Sequence, residues 1–162
     1  MSLQRSPDFL WQWCRFSELA TKDLYAVVRL REAVFIVEQN CPYPDADGRD
    51  PKAWHLLGWI QGKTERTLVA YARIFEPGVR YNEGSIGRVV TVGLGRGRGL
   101  GREVMVRAIA HAAAVWPGTA IRISAQTRLE RFYASLDFVA VGPPYLEDGI
   151  DHTEMLLAAK PV

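Results

Sequence analysis

The sequence predicts a mixed α/β (α+β) fold, and three observations lead to this expectation. First, 162 residues with 48% hydrophobic and 23% charged side chains have the size and composition of one self-sufficient core, so we treat residues 1–162 as a single domain. Second, strand-like and helix-like periodicities alternate along the chain. Third, no run approaches the ~20 apolar residues that a membrane-spanning helix needs.

The first strand and the first helix follow from residue spacing. Bulky, β-prone residues alternate from Phe9 to Cys14, which predicts a strand. After candidate N-caps at Ser17 and Thr21, apolar residues recur at the 3-and-4 spacing of one helical face. They are Leu24, Val27, Val28, Val34 and Phe35. The same stripe contains Arg31 and, seven places on, Glu38, so two charges are expected where apolar side chains belong.

The middle of the chain predicts a long loop and then a meander of three strands. Residues 40–52 are rich in Pro, Gly and Asp and have no periodicity, and loops of this length are often functional. Strong turn signals at 61–63 and 76–78 separate three β-prone runs. These runs cover residues 55–60, 68–75 and 85–92.

The last third predicts two helices and three strands. Apolar residues recur every four positions from Leu100 to Ala112, and Trp116-Pro117-Gly118 then ends that helix. A short strand, a second helix and two final strands follow, at residues 120–125, 129–136, 138–141 and 152–158. The sequence leaves the oligomeric state open, with one candidate: exposed residues of the Trp-rich first strand could pair across a homodimer.

Charge and cysteine usage exclude several classes of function. A net charge of +2 is too small for a general nucleic-acid or membrane-surface binder, so we expect neither partner. Cys14 and Cys41 form no CxxC pair and the three His show no ligand spacing, so we expect no metal. Residues 1–7 lack the apolar core of a signal peptide, and we expect a cytoplasmic protein.

The most specific chemical signal is a glycine turn at residues 96–101, Arg-Gly-Arg-Gly-Leu-Gly, placed between a predicted strand and a predicted helix. Glycines and the free amides of a helix N-terminus suit a diphosphate. No carboxylate lies between Glu83 and Glu103, and this stretch contains Arg88, Arg96, Arg98 and Arg102. We therefore predict an anion site instead of a solvated turn. Neither the GxGxxG dinucleotide spacing nor the GxxxxGK[ST] motif is present.

These residues resemble a known family. Arg96, Gly99 and Gly101 match the acetyl-CoA-binding motif [QR]xxGx[GA] of the GNAT superfamily of N-acetyltransferases, and residues 132–138 are similar to its FYxxxGF motif, with Asp137 in place of the usual Gly. From about residue 9 to 158 the chain resembles the ElaA-like family. That resemblance rests on Leu30-Arg31, Val34-Phe35, Glu38-Gln39, Pro42-Tyr43, Asp47-Gly48, Asp50, His55, Gly87-Arg88-Val89-Val90, Ala125-Gln126, Glu147-Asp148-Gly149-Ile150 and His152.

The resemblance implies a GNAT-like fold, whose mixed, mostly antiparallel and twisted sheet is flanked by helices and splays to admit the pantetheine arm of acetyl-CoA. Acetyl-CoA is the implied co-substrate. In the family, the strand before the glycine turn polarises the thioester carbonyl through its backbone, and Gln126 matches a position beside the pantetheine arm, although it could equally cap a loop. The implied cofactor-binding residues are Val89, Val90, Thr91, Arg96, Gly97, Arg98, Gly99, Leu100, Gly101, Arg102 and Gln126.

The implied reaction is acetyl transfer to a primary amine, which needs one proton removed from the amine and one delivered to the CoA thiolate. Tyr133 matches the family's tyrosine and could donate the second proton, or it could be a core aromatic. For the base, Glu38 is the first candidate, followed by His55 and His152. Arg31 is either the structural partner of Glu38 or part of a shared network beside the cleft.

The acceptor amine, from a small molecule, a peptide or a protein, is less well defined. Acidic residues are dense at 38–50 and 147–154, and if both segments border one cleft they would attract a cationic amine; Asp and Gly are also ordinary turn formers. The candidate substrate-binding residues are Arg31, His55, Asp148 and His152. Two alternatives are a non-catalytic acyl-CoA sensor and a transferase for longer acyl chains, since an Arg-x-x-Val-Phe segment also resembles acyl-homoserine-lactone synthases.

Overall fold

The computed structural model describes residues 9–93 and 96–160, which form one eight-stranded sheet with helices on both faces. The strands are β1 (Phe9–Arg15), β2 (Trp54–Gln61), β3 (Arg66–Phe75), β4 (Gly84–Thr91), β5 (Ile121–Gln126), β6 (Val139–Ala140), β7 (Tyr145–Glu147) and β8 (Ile150–Leu157). The α-helices are α1 (Thr21–Arg31), α2 (Leu100–Val115) and α3 (Glu130–Ala134). Among the described residues, no helix is long and apolar enough to cross a membrane.

The sheet runs in the order β1-β2-β3-β4-β5-β8-β6, and β7 also pairs with β8. All pairings in the described residues are antiparallel except β4 with β5, which are parallel. This parallel contact covers only Gly84 with Ile121 and Ser85 with Arg122. Beyond Ser85 the two strands separate, so the predicted splayed, mostly antiparallel sheet is confirmed.

Two apolar layers hold the helices to the sheet. On one face, α2 packs with the predicted four-residue stripe, and Leu100, Val104, Ala108 and Ala112 are all buried. On the other face, Val27, Leu30 and Val34 pack against β2, β3 and β4. The even residues of β5, which face the α1 side, are polar, whereas its odd residues are buried in the α2 layer. The α1 side of the splay is therefore the polar side of the sheet.

The first helix differs from its prediction at both ends. Its N-cap is Ala20 and not Ser17 or Thr21, and no side chain caps it. After Arg31 the chain continues as a π-helical segment, Glu32–Glu38, in which the Gln39 amide donates to the Val34 carbonyl. The wider π turn rotates the residues that follow it. Arg31 is consequently buried whereas Glu38 is half exposed, so the expectation that both charges share the apolar face is wrong.

The remaining elements agree with the predicted order, with one omission. The loop at 40–52 is confirmed and ends in a single 3-10 turn, Asp50–Lys52. Strand β7 was not predicted, because three residues are too short for a periodicity to be recognised. Strand β1 lies at one edge of the sheet, where a homodimer contact stays a prediction.

Candidate active site

A cleft of about 760 Å³ opens where β4 and β5 separate. Its walls are β4, the end of the π-helical segment with part of the 40–52 loop, the glycine turn, β5, and the turn between β7 and β8. The short parallel contact at Ser85 and Arg122 closes its narrow end. Because β4 and β5 do not pair with each other along the open part, their backbone groups that face the splay are available to a ligand.

A bulge in β4 shapes one wall of the cleft. Tyr71 pairs with Val90 and Arg73 with Gly87, so Arg88 and Val89 lie opposite a single β3 residue. Arg88 has a φ of 52°, a left-handed conformation unusual for a non-glycine residue. This conformation displaces Val89 from the ladder, so that it has no partner residue on β3.

The backbone of β4 presents only part of its predicted set of donors to the cleft. The Val92 amide donates to the Val69 carbonyl at 2.9 Å. Because hydrogen-bonding direction alternates along an antiparallel strand, Val90 also faces β3 and Thr91 faces away from it. The Thr91 carbonyl accordingly accepts from Arg96 Nε at 2.9 Å on the cleft side. Thr91 therefore turns to the cleft and the Val90 amide turns to β3, whereas Val89, inside the bulge, has no β3 partner and lines the cleft.

The glycine turn forms the end of the cleft beside α2. Gly97 and Gly99 have φ values of 72° and 75°, and nothing lies within 4 Å of the position of a Cβ on either residue. Gly99 is the N-cap of α2 and carries no side-chain cap, so the first amides of the helix are open to an anion. The buried Leu100 side chain anchors the turn in the core. This arrangement fits a diphosphate.

The arginines of the predicted anion site point in different directions. Arg96 forms an ion pair with Glu38, and Arg88 pairs with Asp45 on the 40–52 loop. Arg102 donates to the Ser135 hydroxyl and carbonyl at the end of α3. Arg98 is exposed and makes no ion pair within residues 9–93 and 96–160. Of these four, Arg88 and Arg96 line the cleft, together with Arg128, which the sequence reasoning missed.

Tyr133 is both a packed aromatic and a cleft residue. Phe132 and Phe138 contact its ring edge-on, with centroid distances of 5.0 Å and 6.0 Å. Burial raises the pKa of Tyr133 to about 12, so its hydroxyl stays protonated at neutral pH. The ring lines the cleft, and its hydroxyl has no hydrogen-bond partner in the described part of the chain. Its hydroxyl is therefore protonated and is not held by a hydrogen bond to any described residue.

Gln126 spans the cleft. Its Nε2 donates to Gln39 Oε1 at 3.0 Å, which joins the end of β5 to the end of the π-helical segment. Its Oε1 accepts from Arg128 Nε at 2.9 Å. The amide is therefore held at the wall with both of its polar atoms engaged, and Gln39 is a site residue that the sequence reasoning did not single out.

The β7–β8 hairpin forms the polar wall opposite β4. His152 pairs in register with Gln126 and donates from Nδ1 to the Ile150 carbonyl at 2.8 Å. A ring nitrogen can bond a carbonyl only as a donor, so the lone pair of His152 is on Nε2. Nε2 lies 3.7 Å from Glu147 Oε2, and both residues line the cleft. In the sequence, Glu147 belonged to an acidic run and to one of the segments that resemble the ElaA-like family, but it was not a candidate site residue.

Two further side chains extend this polar wall. Tyr145 stacks near His152, with 6.0 Å between ring centroids, and its hydroxyl contacts Ser124 Oγ. Ser124 also reaches Glu147 Oε2 at 3.3 Å. The predicted substrate residue Asp148 lines the cleft at the hairpin turn, and its carbonyl accepts from Cys41 Sγ at 3.2 Å. The 40–52 loop is thereby joined to the hairpin.

Two other predicted substrate residues lie behind the cleft wall. Arg31 is buried and binds Asp45 and Asp50, both at 2.8 Å. His55 is fully buried, where Nε2 donates to the Asp50 carbonyl and Nδ1 accepts from the Tyr71 hydroxyl. Neither side chain lines the cleft. Burial lowers the pKa of His55, which keeps it neutral.

The acids of the 40–52 loop are paired and do not attract a substrate. Asp45, Asp47 and Asp50 form ion pairs with Arg31, Arg73 and Arg88. Burial alone would raise the pKa of Asp50, but the two buried arginines outweigh it and hold that pKa below its usual range. The hypothesis that both acidic segments attract a cationic amine is therefore wrong for the 38–50 segment. Within residues 9–93 and 96–160, no group of His, Cys, Asp and Glu is arranged to hold a metal ion.

Comparisons with known proteins agree with this geometry. The model of the acetyltransferase (GNAT) domain matches residues 61–159. ElaA of Escherichia coli is 41% identical over 147 residues, which cover 90% of this chain and 94% of ElaA. A UPF0039 protein of Synechocystis sp. is 41% identical over 151 residues, or 93% of this chain and 96% of that protein.

Solved structures give the same result. The crystal structure of an acyl-CoA N-acyltransferase from Pseudomonas aeruginosa is similar with a TM-score of 0.87 and 40% identity, covering 93% of this chain and 100% of that one. The crystal structure of E. coli ElaA has a TM-score of 0.83 and 39% identity, covering 92% and 99%. The chain therefore belongs to the GNAT acetyltransferase family, among the relatives of ElaA, and is an acyl-CoA-dependent N-acyltransferase.

Proposed function

We propose that the donor is acetyl-CoA and that the acceptor is a primary amine, which attacks the thioester directly. The observation that supports this proposal is that two side chains suited to proton transfer line the cleft at the β4–β5 splay: Tyr133, the proposed proton donor, and His152, the proposed proton acceptor. Acyl transfer to an amine requires both groups. The glycine turn at one end of the cleft supplies an anion site for the CoA diphosphate.

The first step is binding of acetyl-CoA. The diphosphate lies against the glycine turn and the first amides of α2, where Gly97 and Gly99 allow a close approach. The pantetheine arm then runs along the separated edges of β4 and β5. Because those edges have unpaired backbone groups, the amides of the arm can complete the missing ladder. Gln126, held by Gln39 and Arg128, borders the arm on the β5 side.

The second step is attack by the amine. Nε2 of His152 carries the lone pair, so it can take the ammonium proton, while Glu147 stabilises the imidazolium that forms. We assign this role to His152 in preference to Glu38, whose two carboxylate oxygens are occupied by Arg96, and to His55, which is buried behind the wall. The amides of Val89 and Thr91 are the candidate donors to the developing oxyanion.

The third step is departure of the thiolate. The protonated hydroxyl of Tyr133 donates to the CoA sulfur as the carbon–sulfur bond breaks. A phenol whose pKa is raised by burial is a weaker acid than free tyrosine, but a thiolate that leaves beside it is also destabilised by removal from water and gains from the proton.

A panel of amines with acetyl-CoA, followed by thiol release, tests the proposal. We expect CoA to be released at a rate that saturates with at least one amine, together with a product heavier than the amine by one acetyl group. A non-catalytic sensor would bind acetyl-CoA and release no thiol with any amine. A series of acyl-CoA donors of increasing chain length distinguishes acetyl from longer acyl groups, and we expect kcat/KM to be highest for acetyl.

A further inference from the structure

The β4 side of the cleft has more positive charge than its ion pairs neutralise. Three aspartates of the 40–52 loop balance three arginines, as described above. Two further arginines, Arg49 and Arg80, line the same cleft. Neither guanidinium forms an ion pair or a hydrogen bond with any residue in the described ranges, 9–93 and 96–160, although the Arg49 backbone amide donates to Asp47 Oδ1. An acceptor in this part of the cleft therefore meets two uncompensated guanidinium groups.

Arg80 is placed at the point where the strands separate. It is half-buried, and its guanidinium carbon lies 5.1 Å from the ring centroid of Tyr81. Its NH1 is 3.8 Å from the position of a Cβ on Gly87. Gly87 lies two residues beyond Ser85, the last β4 residue paired with β5. Because glycine has no side chain, the Arg80 guanidinium lies next to the point where β4 and β5 separate.

The β7–β8 hairpin wall of the cleft has the opposite charge, whereas Arg128, after the end of β5, donates to Gln126 Oε1. Glu147 and Asp148 line the hairpin wall, and neither pairs with a lysine or an arginine of the described chain. The only charged partner of Glu147 there is His152, at 3.7 Å, which is charged only when protonated. A field therefore runs across the cleft from Arg80 to Glu147, and a molecule with separated charges would align with it.

We propose that the acceptor is an amine that also carries a carboxylate, bound with its carboxylate on Arg80 and its ammonium group beside Glu147 and His152. This inference rests on the proposed function. A planar guanidinium fork matches a carboxylate in two parallel hydrogen bonds. A polyamine is disfavoured, because its second ammonium group would lie against Arg49 and Arg80.

The transfer step balances for such an acceptor. The ammonium group loses one proton to His152, and its nitrogen forms a bond to the acetyl carbon. The carbon–sulfur bond of acetyl-CoA breaks, and the sulfur takes a proton from Tyr133. A second ammonium proton passes to solvent as the amide forms. Solvent then takes the proton held by His152 and returns one to Tyr133, so the side chains regain their starting state and the products are an N-acetylated amino acid, CoA and one proton. The carboxylate is unchanged throughout and serves only in recognition.

Pairs of acceptors that differ only in charge test this inference. α- and ω-amino acids of increasing chain length are each compared with their own primary amide, which has the same shape and no negative charge. The probes are measured by acetyl-CoA-dependent thiol release and, independently of turnover, by saturation-transfer NMR against the CoA-loaded protein. For the best amino acid, we expect kcat/KM to exceed that of its amide by about tenfold to a hundredfold, the strength of one charge-assisted bidentate contact.

Substitution of Arg80 locates the contact. Arg80→Gln should remove the preference by lowering kcat/KM for the amino acid far more than for the amide, and Arg80→Lys should restore part of it. The matched control is Arg29→Gln, which removes an exposed arginine of α1 that does not line the cleft. We expect this control to retain the full preference.

The outcomes separate this inference from the proposed function. Equal binding of each amino acid and its amide, no binding of either, or a preference that survives in Arg80→Gln would overturn the inference, whatever the turnover. A preference for carboxylates in the NMR measurement without any thiol release would support the inference and contradict the proposed acetyl transfer.

Discussion

Glu38 and Arg96 form a two-pronged ion pair across the mouth of the cleft, with Oε1 to NH1 at 2.9 Å and Oε2 to NH2 at 3.1 Å. Arg96 also donates from Nε to the Thr91 carbonyl. The glycine-turn arginine is therefore directed at a carboxylate from the π-helical segment. Since both side chains are about half exposed, this pair contributes little to stability, and its main effect is to occupy the Glu38 carboxylate.

Glu38→Gln should leave turnover nearly intact. If His152 is the base, removing the Glu38 charge should change kcat by less than about threefold, whereas loss of a general base costs about 10²–10⁴. Binding of acetyl-CoA should be equal or tighter, because Arg96 is released for the diphosphate. Steady-state kinetics and calorimetric titration measure both effects. Glu32→Gln, on the exposed side of the same segment, is the control. A drop in kcat of a hundredfold or more for Glu38→Gln would return the base role to Glu38.

His152→Gln should lower kcat/KM by about 10²–10⁴, because the lone pair on Nε2 is lost, while acetyl-CoA binding is retained. His111→Gln is a matched control: His111 stacks on Trp13, with 4.1 Å between ring centroids, and does not line the cleft. Equal kinetics for the two variants would contradict the assignment of His152.

Tyr133→Phe should lower kcat by about 10²–10⁴ and leave the Kd for acetyl-CoA unchanged, since the ring still packs against Phe132 and Phe138. The wild-type pH–rate profile should show no fall attributable to this phenol below its pKa of about 12. Tyr25→Phe, at an exposed tyrosine of α1, should behave as wild type. If Tyr133→Phe keeps full kcat, Tyr133 is only a core aromatic.

Asp50→Asn should destabilise the fold by about 3–5 kcal/mol, because it leaves Arg31 and Arg73 buried with too little negative charge. The pKa of Asp50 is lowered in the folded state, so its contribution to stability is complete above the ordinary aspartate pKa of 3.8 and is lost as pH falls below it. Urea unfolding at neutral and acidic pH measures this. The wild type should lose stability towards low pH more steeply than Asp50→Asn. Asp151→Asn, at an exposed aspartate, should follow the wild type; parallel pH curves for Asp50→Asn and the wild type would contradict the account.

The glycine turn and the sheet could be predicted because their signals are local. The spacing of Gly97, Gly99 and Leu100 defines the start of α2, and the meander is marked by turns next to its strands. The π-helical segment could not be predicted. Counting seven residues on from Arg31 assumes α-helical geometry, and this count placed Glu38 on the apolar face. A π turn leaves no periodicity of its own in seven residues.

Ion pairing between residues that are distant in sequence explains the other differences between the sequence predictions and the structure. Asp45, Asp47 and Asp50 gave the sequence a run of negative charge, but their partners Arg31, Arg73 and Arg88 lie 14 to 43 residues away. Composition counts charges and does not show which are neutralised. Two features became apparent only once the fold had brought the walls of the cleft together. They are the unpaired guanidinium groups of Arg49 and Arg80, and the tautomer of His152, which is fixed by its hydrogen bond to the Ile150 carbonyl.

The most direct test of the account is a calorimetric titration of acetyl-CoA into the wild type, Gly99→Glu and Gly142→Glu. Both glycines have positive φ and open space at the Cβ position, so backbone strain is matched, but only Gly99 lines the cleft. We predict saturable binding to the wild type and to Gly142→Glu, and at least a hundredfold weaker binding to Gly99→Glu, whose carboxylate repels the diphosphate. Equal affinity in all three proteins would contradict the assignment of the glycine turn as the CoA site.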